Sequence, residues 1–409
     1  MCLPVCPTYA LTSDEQSSPR GRIRMMRSQL EGKMEMSGAF VDEMYFCLDC
    51  QACQTACPAG VKYGALVEDA RRRIAEEGKE PARLGLTKKW LLGRILSSPA
   101  MIKRAASLLR IYRRSGLYDA VNASHILEAF SMRLHERHAM LPAVSAQWFD
   151  ETVEGVLPAT GPYRGTAAFL TGCVMNVMFA GLHRDIAEVL TRNGYDVVIP
   201  KNQPCCGSLH AHYGDTREAA AMARKFLDLF DQFSFDALVV DSAGCGAFLK
   251  EYGHLLAGDA EYAPRASALA AKTKDVTEFL AETGFARPES ALRYTVTYHD
   301  ACHLVHTQGI SRQPRDIIRS IPGLRVVELK ESTWCCGSAG IYNVVRFDDA
   351  RKLLERKMDN LEATGAGIVL TANPGCHLQL ENGIRMRGLK MKVMHPVSLL
   401  NEAYGALSA

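Results

Sequence analysis

Eight of the fourteen cysteines in this 409-residue chain fall into two groups of equal make-up. The first is Cys173, the adjacent pair Cys205 and Cys206, and Cys245. The second is Cys302, the pair Cys335 and Cys336, and Cys376. In the first group 31 and then 38 residues separate the members; in the second, 32 and then 39. Corresponding cysteines are offset by 129 to 131 positions, and the flanking text repeats: P-C-C-G-S against W-C-C-G-S-A-G, S-A-G-C-G against N-P-G-C-H. Such self-similarity marks an internal duplication, so the chain is expected to fold one unit twice.

Each copy reads as alternating strand and helix. Short apolar, β-rich runs lie at 167–170, 196–199 and 237–240, and again at 294–298, 325–329 and 368–371. Helix-period stretches lie between them near 180–192 and 216–230, then near 314–320 and 348–361. Alternation of this kind implies a mostly parallel sheet covered by helices. Cys173, Cys245, Cys302 and Cys376 each follow a strand closely, beyond the carboxyl ends where open α/β sheets bind ligands. Neighbouring glycines let backbone approach a bulky group. Four thiols per copy then converge on one crevice. An iron–sulfur cluster is the leading occupant; tetrahedral zinc, a redox dithiol and simple burial are the alternatives.

A different run precedes the duplication. Cys47, Cys50, Cys53 and Cys57 stand in C-x2-C-x2-C-x3-C-P, the spacing of bacterial ferredoxin-type ligands. In two-cluster ferredoxins the fourth cysteine serves the other cluster. A second C-x3-C-P is present as Cys2 and Cys6. Crossing over gives one complete set, Cys6, Cys47, Cys50 and Cys53, and leaves Cys2 and Cys57 for a second. That second set lacks two cysteines. The simplest expectation is a chain that starts late, at a methionine internal to a C-x-x-C-G-M-C; loss of one cluster is the alternative. Zinc and buried free thiols also remain open for this run.

Nearly half the residues are hydrophobic (47%), so sizeable cores are available. No uninterrupted apolar run reaches the roughly 20 residues that span a bilayer. The cysteine arrangement fits metal thiolates better than disulfides, which points to a reducing cytoplasm. The net charge of +3 says little, but its distribution does. Residues 81–118 hold nine Lys or Arg and no Asp or Glu. Met101, Ile102, Ala105, Leu108, Leu109 and Tyr112 recur there at helical spacing, with Lys103, Arg104, Arg110 and Arg113 expected on the other face. Such a helix suits an anionic membrane surface or an acidic partner, or serves as a linker packed on the core. No nucleic-acid platform is present.

The C-C-G segments resemble the cysteine-rich domain of the heterodisulfide reductase catalytic subunit and its relatives. With the ferredoxin-type run in front, the whole chain is similar to the iron–sulfur subunits of bacterial glycolate oxidases. The cysteine-rich subunit of anaerobic glycerol-3-phosphate dehydrogenase is a more distant relative of the same architecture. The resemblance rests on C-P-T-Y at 6–9, S-P-R-G-R-I at 18–23, Y-H-D-A-C-H at 298–303, C-C-G-S-A-G-I-Y at 335–342 and N-P-G-C at 373–376. Heterodisulfide reductase units end in C-x-x-C; here Cys245-Gly-Ala-Phe and Cys376-His-Leu-Gln lack the last thiol.

The expected architecture is therefore multidomain α/β. A mostly helical ferredoxin-type domain covers 1–80, a basic helical linker 81–160, and the two C-C-G units 161–290 and 291–409. The resemblance implies an electron-transfer subunit holding 4Fe–4S clusters, with all fourteen cysteines as metal ligands. A flavin-bearing partner would oxidise a 2-hydroxy acid such as glycolate, and this chain would pass electrons to a quinone or other acceptor. The membrane would be met through 81–118. The chain has no G-x-G-x-x-G and no Ser-His-Asp elbow, so no catalytic residue is expected in it. Lactate and glycerol-3-phosphate systems, a C-C-G thiol–disulfide or quinone reductase, and a zinc-bearing structural subunit are the competing readings. His299, His303 and His377 beside the second group, and Arg20, Arg22 and Arg24 between the ferredoxin half-motifs, are candidates for tuning cluster potential.

Overall fold

The computed structural model describes residues 1–153 and 155–405. The first repeat forms a five-stranded sheet from β1 (Gly155–Leu157), β2 (Gly165–Phe169), β3 (Tyr195–Ile199), β4 (Ala237–Val240) and β5 (Thr273–Asp275). Their order is β1-β3-β2-β4-β5. All neighbours are parallel except β1, which runs antiparallel to β3 along an edge. The second repeat forms β6 (Thr295–Tyr298), β7 (Arg325–Val326), β8 (Ile368–Leu370) and β9 (Lys392–Met394), all parallel, in the order β7-β6-β8-β9. The order β3-β2-β4-β5 is the same arrangement, so the duplication read in the cysteines is a duplication of topology. Parallel pairing forces a crossover after each strand, and helices supply it.

The helices at Ala180–Arg192 and Thr216–Phe230 match the stretches expected from periodicity. Those at Arg312–Ser320 and Phe347–Glu362 extend the expected ones by one or two residues. Three strands, β1, β5 and β9, have no counterpart among the expected runs. Each is three residues long, too short to carry a period. β1 lies inside the segment expected as linker and adds to the first sheet.

The two sheets share one core. Helix Pro396–Ala403 of the second repeat packs on Ala180–Arg192 of the first, and Val276–Thr283 packs on Arg312–Ser320. Phe169, Ile186, Leu190, Val197, Leu280, Val296, Ile317 and Leu399 are all buried in that layer. The other face of each sheet is covered by its own helices, through Phe226, Phe230 and Tyr252 in the first and Leu354, Met358 and Leu380 in the second. Strands buried on both sides explain the continuous apolar runs.

The N-terminal region is helical: Pro7–Thr12, Pro19–Leu30, Gly38–Phe46, Ala52–Thr55 and Tyr63–Glu76. Ser18 caps Pro19–Leu30 by accepting from the Gly21 N–H at 3.1 Å. A Cβ at Gly21 would fall 1.9 Å from the Glu15 carbonyl oxygen, so that position admits glycine alone. The basic segment then forms Pro99–Arg114. Its faces differ from expectation. Ile102 and Ala106 are buried, but Leu108 is 70% and Ile111 64% exposed. Lys103 turns inward to Asp150 (2.7 Å), and Arg110 and Arg113 donate to the carbonyls of Ala146 and Leu141. Cationic anchoring to a following strap sets this helix's rotation, and an apolar strip is left outside.

Candidate metal centres

Cys6, Cys47, Cys50 and Cys53 line one small cleft with Arg22 and Tyr63. The 47–53 loop wraps it because Asp49 and Gln51 adopt the left-handed region, φ 54° and 58°. The turn points the Asp49 N–H at the Cys47 sulfur (3.3 Å), and the Tyr63 hydroxyl donates to the same sulfur at 3.6 Å. Arg22 is fully buried, with N–H groups spent on Thr8, the Ser17 carbonyl and Glu43. Burial opposes its charge, but nearby Cys47, Tyr63, Cys6 and Glu43 hold it protonated. Arg20 is exposed and paired with Glu15, and Arg24 is exposed. Cys2 and Cys57 are half-buried and stand outside this cleft. Backbone N–H groups of Val61 and Ala59 lower the Cys57 thiol.

In the first repeat the thiols touch in series: Cys173 to Cys205, Cys205 to Cys206, Cys206 to Cys245. His210 is buried beside Cys205, and the Tyr252 hydroxyl donates to the Cys206 carbonyl at 2.6 Å. In the second repeat the series is Cys302, Cys335, Cys336, Cys376. The Gly337 N–H reaches the Cys335 sulfur and the Asn373 amide the Cys376 sulfur, each at 3.5 Å. Gly207 and Gly337 sit at φ +88° and +87°; a Cβ at Gly337 would fall 2.6 Å from the Ala350 carbonyl oxygen, and one at Gly207 would crowd Ala219 at 3.2 Å. That close approach is what the glycine after each cysteine pair is for.

His299 is buried against Cys336 and has no oxygen or nitrogen partner among the described residues. Its ligand atom, with those of Cys336 and Cys376, lies within 4.8 Å of the others. His303 contacts the Cys302 sulfur at 3.5 Å. His377 turns elsewhere, to Glu381 (3.2 Å) and the Phe179 ring. Two of the three histidines singled out in the sequence therefore meet sulfur. Three further charged groups near the thiols carry no motif that marks them in the sequence. Lys357 is fully buried near Cys336, Cys335 and Cys376, donating to the carbonyls of Glu331 and Ser332, and burial lowers it to about 8. Arg71 is buried and donates to the carbonyls of Met44, Cys47 and His212. His212 contacts Asp49 (3.2 Å) and Glu68 (2.7 Å); burial pushes it down, but these carboxylates outweigh that and raise it to about 10.

The N-terminal thiols neighbour both repeats: Cys173 packs against the buried cluster that holds Cys47 and Cys53. Cys50 and Cys302 belong to one buried cluster with Phe46, Leu48, Trp334, Cys335 and Tyr342. Burial first, and then the Cys302 thiol, push the Cys50 thiol up. One thiol of the N-terminal cleft and two of the second crevice thus share a buried apolar layer. The two repeats also meet at their last cysteine loops, where Ala243 N–H donates to the Ala372 carbonyl and Gly244 N–H to Asn373, both at 3.3 Å. Convergent thiols, backbone N–H groups aimed at sulfur, buried cations and an orphan imidazole fit iron–sulfur clusters in both kinds of site.

Residues 1–61 match a 4Fe–4S dicluster domain, and 167–250 and 296–381 each match the cysteine-rich C-C-G domain. Over 409 residues the chain is 38% identical to the probable glycolate oxidase iron–sulfur subunit of Bacillus subtilis, covering 99% of this chain and 92% of that one. The chain belongs to that family. The glycolate oxidase iron–sulfur subunit of Escherichia coli is 28% identical over 405 residues, covering 98% and 92% of the two chains. Lactate utilization protein A of Halalkalibacterium halodurans is 30% identical over 234 residues, 57% of this chain and 95% of its own. As a family member the chain carries iron–sulfur centres in a ferredoxin-type domain followed by duplicated cysteine-rich domains. Among the described residues no helix is long and apolar enough to cross a membrane.

Proposed function

We propose that this chain is the electron-transfer subunit of a flavin-dependent 2-hydroxy-acid oxidase, with glycolate as the substrate of the flavin-bearing partner. The family names favour glycolate, and the shorter lactate-utilization relatives keep lactate as the nearest alternative. Cys6, Cys47, Cys50 and Cys53 hold one 4Fe–4S cluster, and Cys2 and Cys57 contribute to a second. Cys173, Cys205, Cys206 and Cys245 hold the centre of the first repeat; Cys302, Cys335, Cys336 and Cys376 hold that of the second. When bound, such clusters accept and release electrons one at a time. The chain's own residues fix their spacing, keep water out and place positive charge beside them.

The observation that carries this reading is the placement of Cys50 and Cys302 in one buried apolar cluster, close enough for the Cys302 thiol to push the Cys50 thiol up. Two redox sites whose ligands adjoin suit electron passage and serve no purpose in a structural zinc protein. The test is a Cys50→Ser variant in the complex with its flavin partner. Glycolate oxidation should still reduce an artificial dye at the flavin, while reduction of the quinone acceptor is lost. Dye reduction lost with it, or quinone reduction kept, would contradict the assignment.

The exposed strip of 81–118 is read as a peripheral contact with the anionic inner face of the cell membrane. Leu86, Trp90, Leu108 and Ile111 stand out among cations, and Arg94 lies over the Trp90 ring. Co-sedimentation with anionic vesicles should be lost in Leu108→Asp/Ile111→Asp; equal sedimentation of that variant would remove the membrane from the account.

A further inference from the structure

An open groove of about 500 Å³ lies between the strap after the basic helices and the edge strand β9. Its apolar lining includes Met140, Pro142, Leu378, Ile384 and Met394, and Arg113, Glu381, Arg385 and Lys392 are its charged lining. The volume and the mix of apolar wall with a few polar groups are those of a small-molecule site. It is a built feature. Arg113 donates to the Leu141 carbonyl at 2.7 Å and Arg385 to the Ala139 carbonyl, so the strap is pinned from both sides.

Two placements say what the groove would hold. Leu378 and Glu381 stand on helix Pro374–Met386, whose first turn carries Cys376. Leu378 is two residues on, about 200° around the helix, so the groove and the thiol crevice face each other across one helix body of roughly 10 Å. Arg113 ends helix Pro99–Arg114, the same helix that exposes Leu108 and Ile111. The groove is thus backed on one side by a metal-centre helix and closed on the other by the C-terminal end of the basic helix. We propose that it binds the head group of an isoprenoid quinone. This rests on the electron-transfer reading given above. The apolar walls take the ring, Arg113, Arg385 and Lys392 supply donors to its carbonyl oxygens, and the open mouth leaves room for the isoprenoid tail. Reduction of the bound quinone to quinol takes two electrons and two protons. The electrons are the pair removed from the hydroxy acid by the flavin partner; the protons come from water at the open mouth.

The test is binding of a fluorescent quinone-site ligand, 2-heptyl-4-hydroxyquinoline N-oxide, to the anaerobically purified full chain, read as fluorescence quenching. Leu378→Trp fills the groove and Met394→Glu charges its wall; both residues are half-buried, so either variant can report if the other misfolds. The expected result is saturable quenching by the parent chain and at least a tenfold (about 1.4 kcal/mol) weaker response in both variants. Dye reduction by the flavin-partner complex stays unchanged. Absence of quenching by the parent chain, or variants within twofold of it, would overturn the groove assignment while dye reduction leaves the electron-transfer reading standing. Variants that lose the flavin partner but keep quenching would overturn it too, and make the groove a seat for that subunit.

Discussion

Beneath the cysteine pair of the first repeat lies Phe226; in the second repeat the equivalent residue is Lys357. The equivalence follows from the contacts of Gly207 with Ala219 and of Gly337 with Ala350, each seven residues earlier. Phe226 and Lys357 are both fully buried. Three residues before Cys173 stands Leu170; three before Cys302 stands His299. The two repeats thus share a topology and differ in polarity under the thiols, although the first keeps His210 beside Cys205. The outer cysteines differ as well: Cys173 and Cys245 are half-buried, Cys302 and Cys376 buried. Cys173 lines a small cavity with Pro99, Ile102 and Lys103 of the basic segment and packs against the cluster of Cys47 and Cys53, whereas Cys302 shares a buried cluster with Cys50. Duplication supplied two crevices of equal make-up, and both meet the N-terminal domain; the second is the one whose thiols share a buried cluster with Cys50 and stand beside a buried lysine. A positive charge there favours the more negative, reduced state of whatever the thiolates hold.

The sharpest way to break this contrast is to remove one ligand from each repeat. Cys335→Ser in the complex should bring quinone reduction to background while the flavin partner still reduces dye. Cys205→Ser should leave the signal of the N-terminal site intact. Equal damage to that signal from both variants would erase the asymmetry. Next in size is Lys357→Met, which keeps volume and removes charge. At an effective dielectric near 20 a charge some 7 Å away contributes about 2 kcal/mol, so the second centre's potential should fall by on the order of 100 mV and the first centre's should not move. His299→Leu imports the first repeat's residue and deletes one hydrogen bond to sulfur. A downward shift of about 40 mV is expected, read by the same redox titration.

The smallest effect concerns how the first repeat holds the N-terminal loop. His212 is raised from 6.5 to about 10 by Asp49 and Glu68 against the opposing effect of burial. A raised folded-state value means that its stabilisation is full below pH 6.5 and is lost as pH climbs toward 10. The thermal midpoint of the parent chain should therefore decline across that window more steeply than that of His212→Gln. Parallel curves would show that the ion pair does not stabilise the loop.

Much of this arrangement is written in the sequence. The repeat of C-C-G text implies two copies, and apolar runs bounded by turn residues mark six strands within a few residues. Helix Thr216–Phe230 matches to the residue because its apolar stripe is unbroken. Lys357 is not legible: the helical spacing of Leu353, Leu354 and Leu361 marks a buried stripe, but nothing local says that a lysine on it stays buried beside thiols. Arg22 is one of three arginines with no local signal to separate them, and its burial depends on Thr8, Ser17 and Glu43 folding around it. The pairing of His212 with Asp49 joins residues 163 apart, which no periodicity reveals. The adjacency of Cys50 and Cys302 is of the same long-range kind. The outward strip of helix Pro99–Arg114 departs from the expected face because hydrogen bonds from Arg110 and Arg113 to a later strap, not apolar spacing, set its rotation.

Cys50 of the N-terminal site shares a buried cluster with Cys302 and Cys335 of the second crevice, and this pair is expected to be the more strongly coupled one. The most direct measurement is electron paramagnetic resonance of the anaerobically purified, dithionite-reduced chain, with iron and acid-labile sulfide counted on the same sample. The account predicts more iron than one cubane holds, with split or broadened signals that simplify in Cys335→Ser and persist in Cys205→Ser. A single isolated signal, or splitting that Cys205→Ser removes and Cys335→Ser keeps, would contradict it.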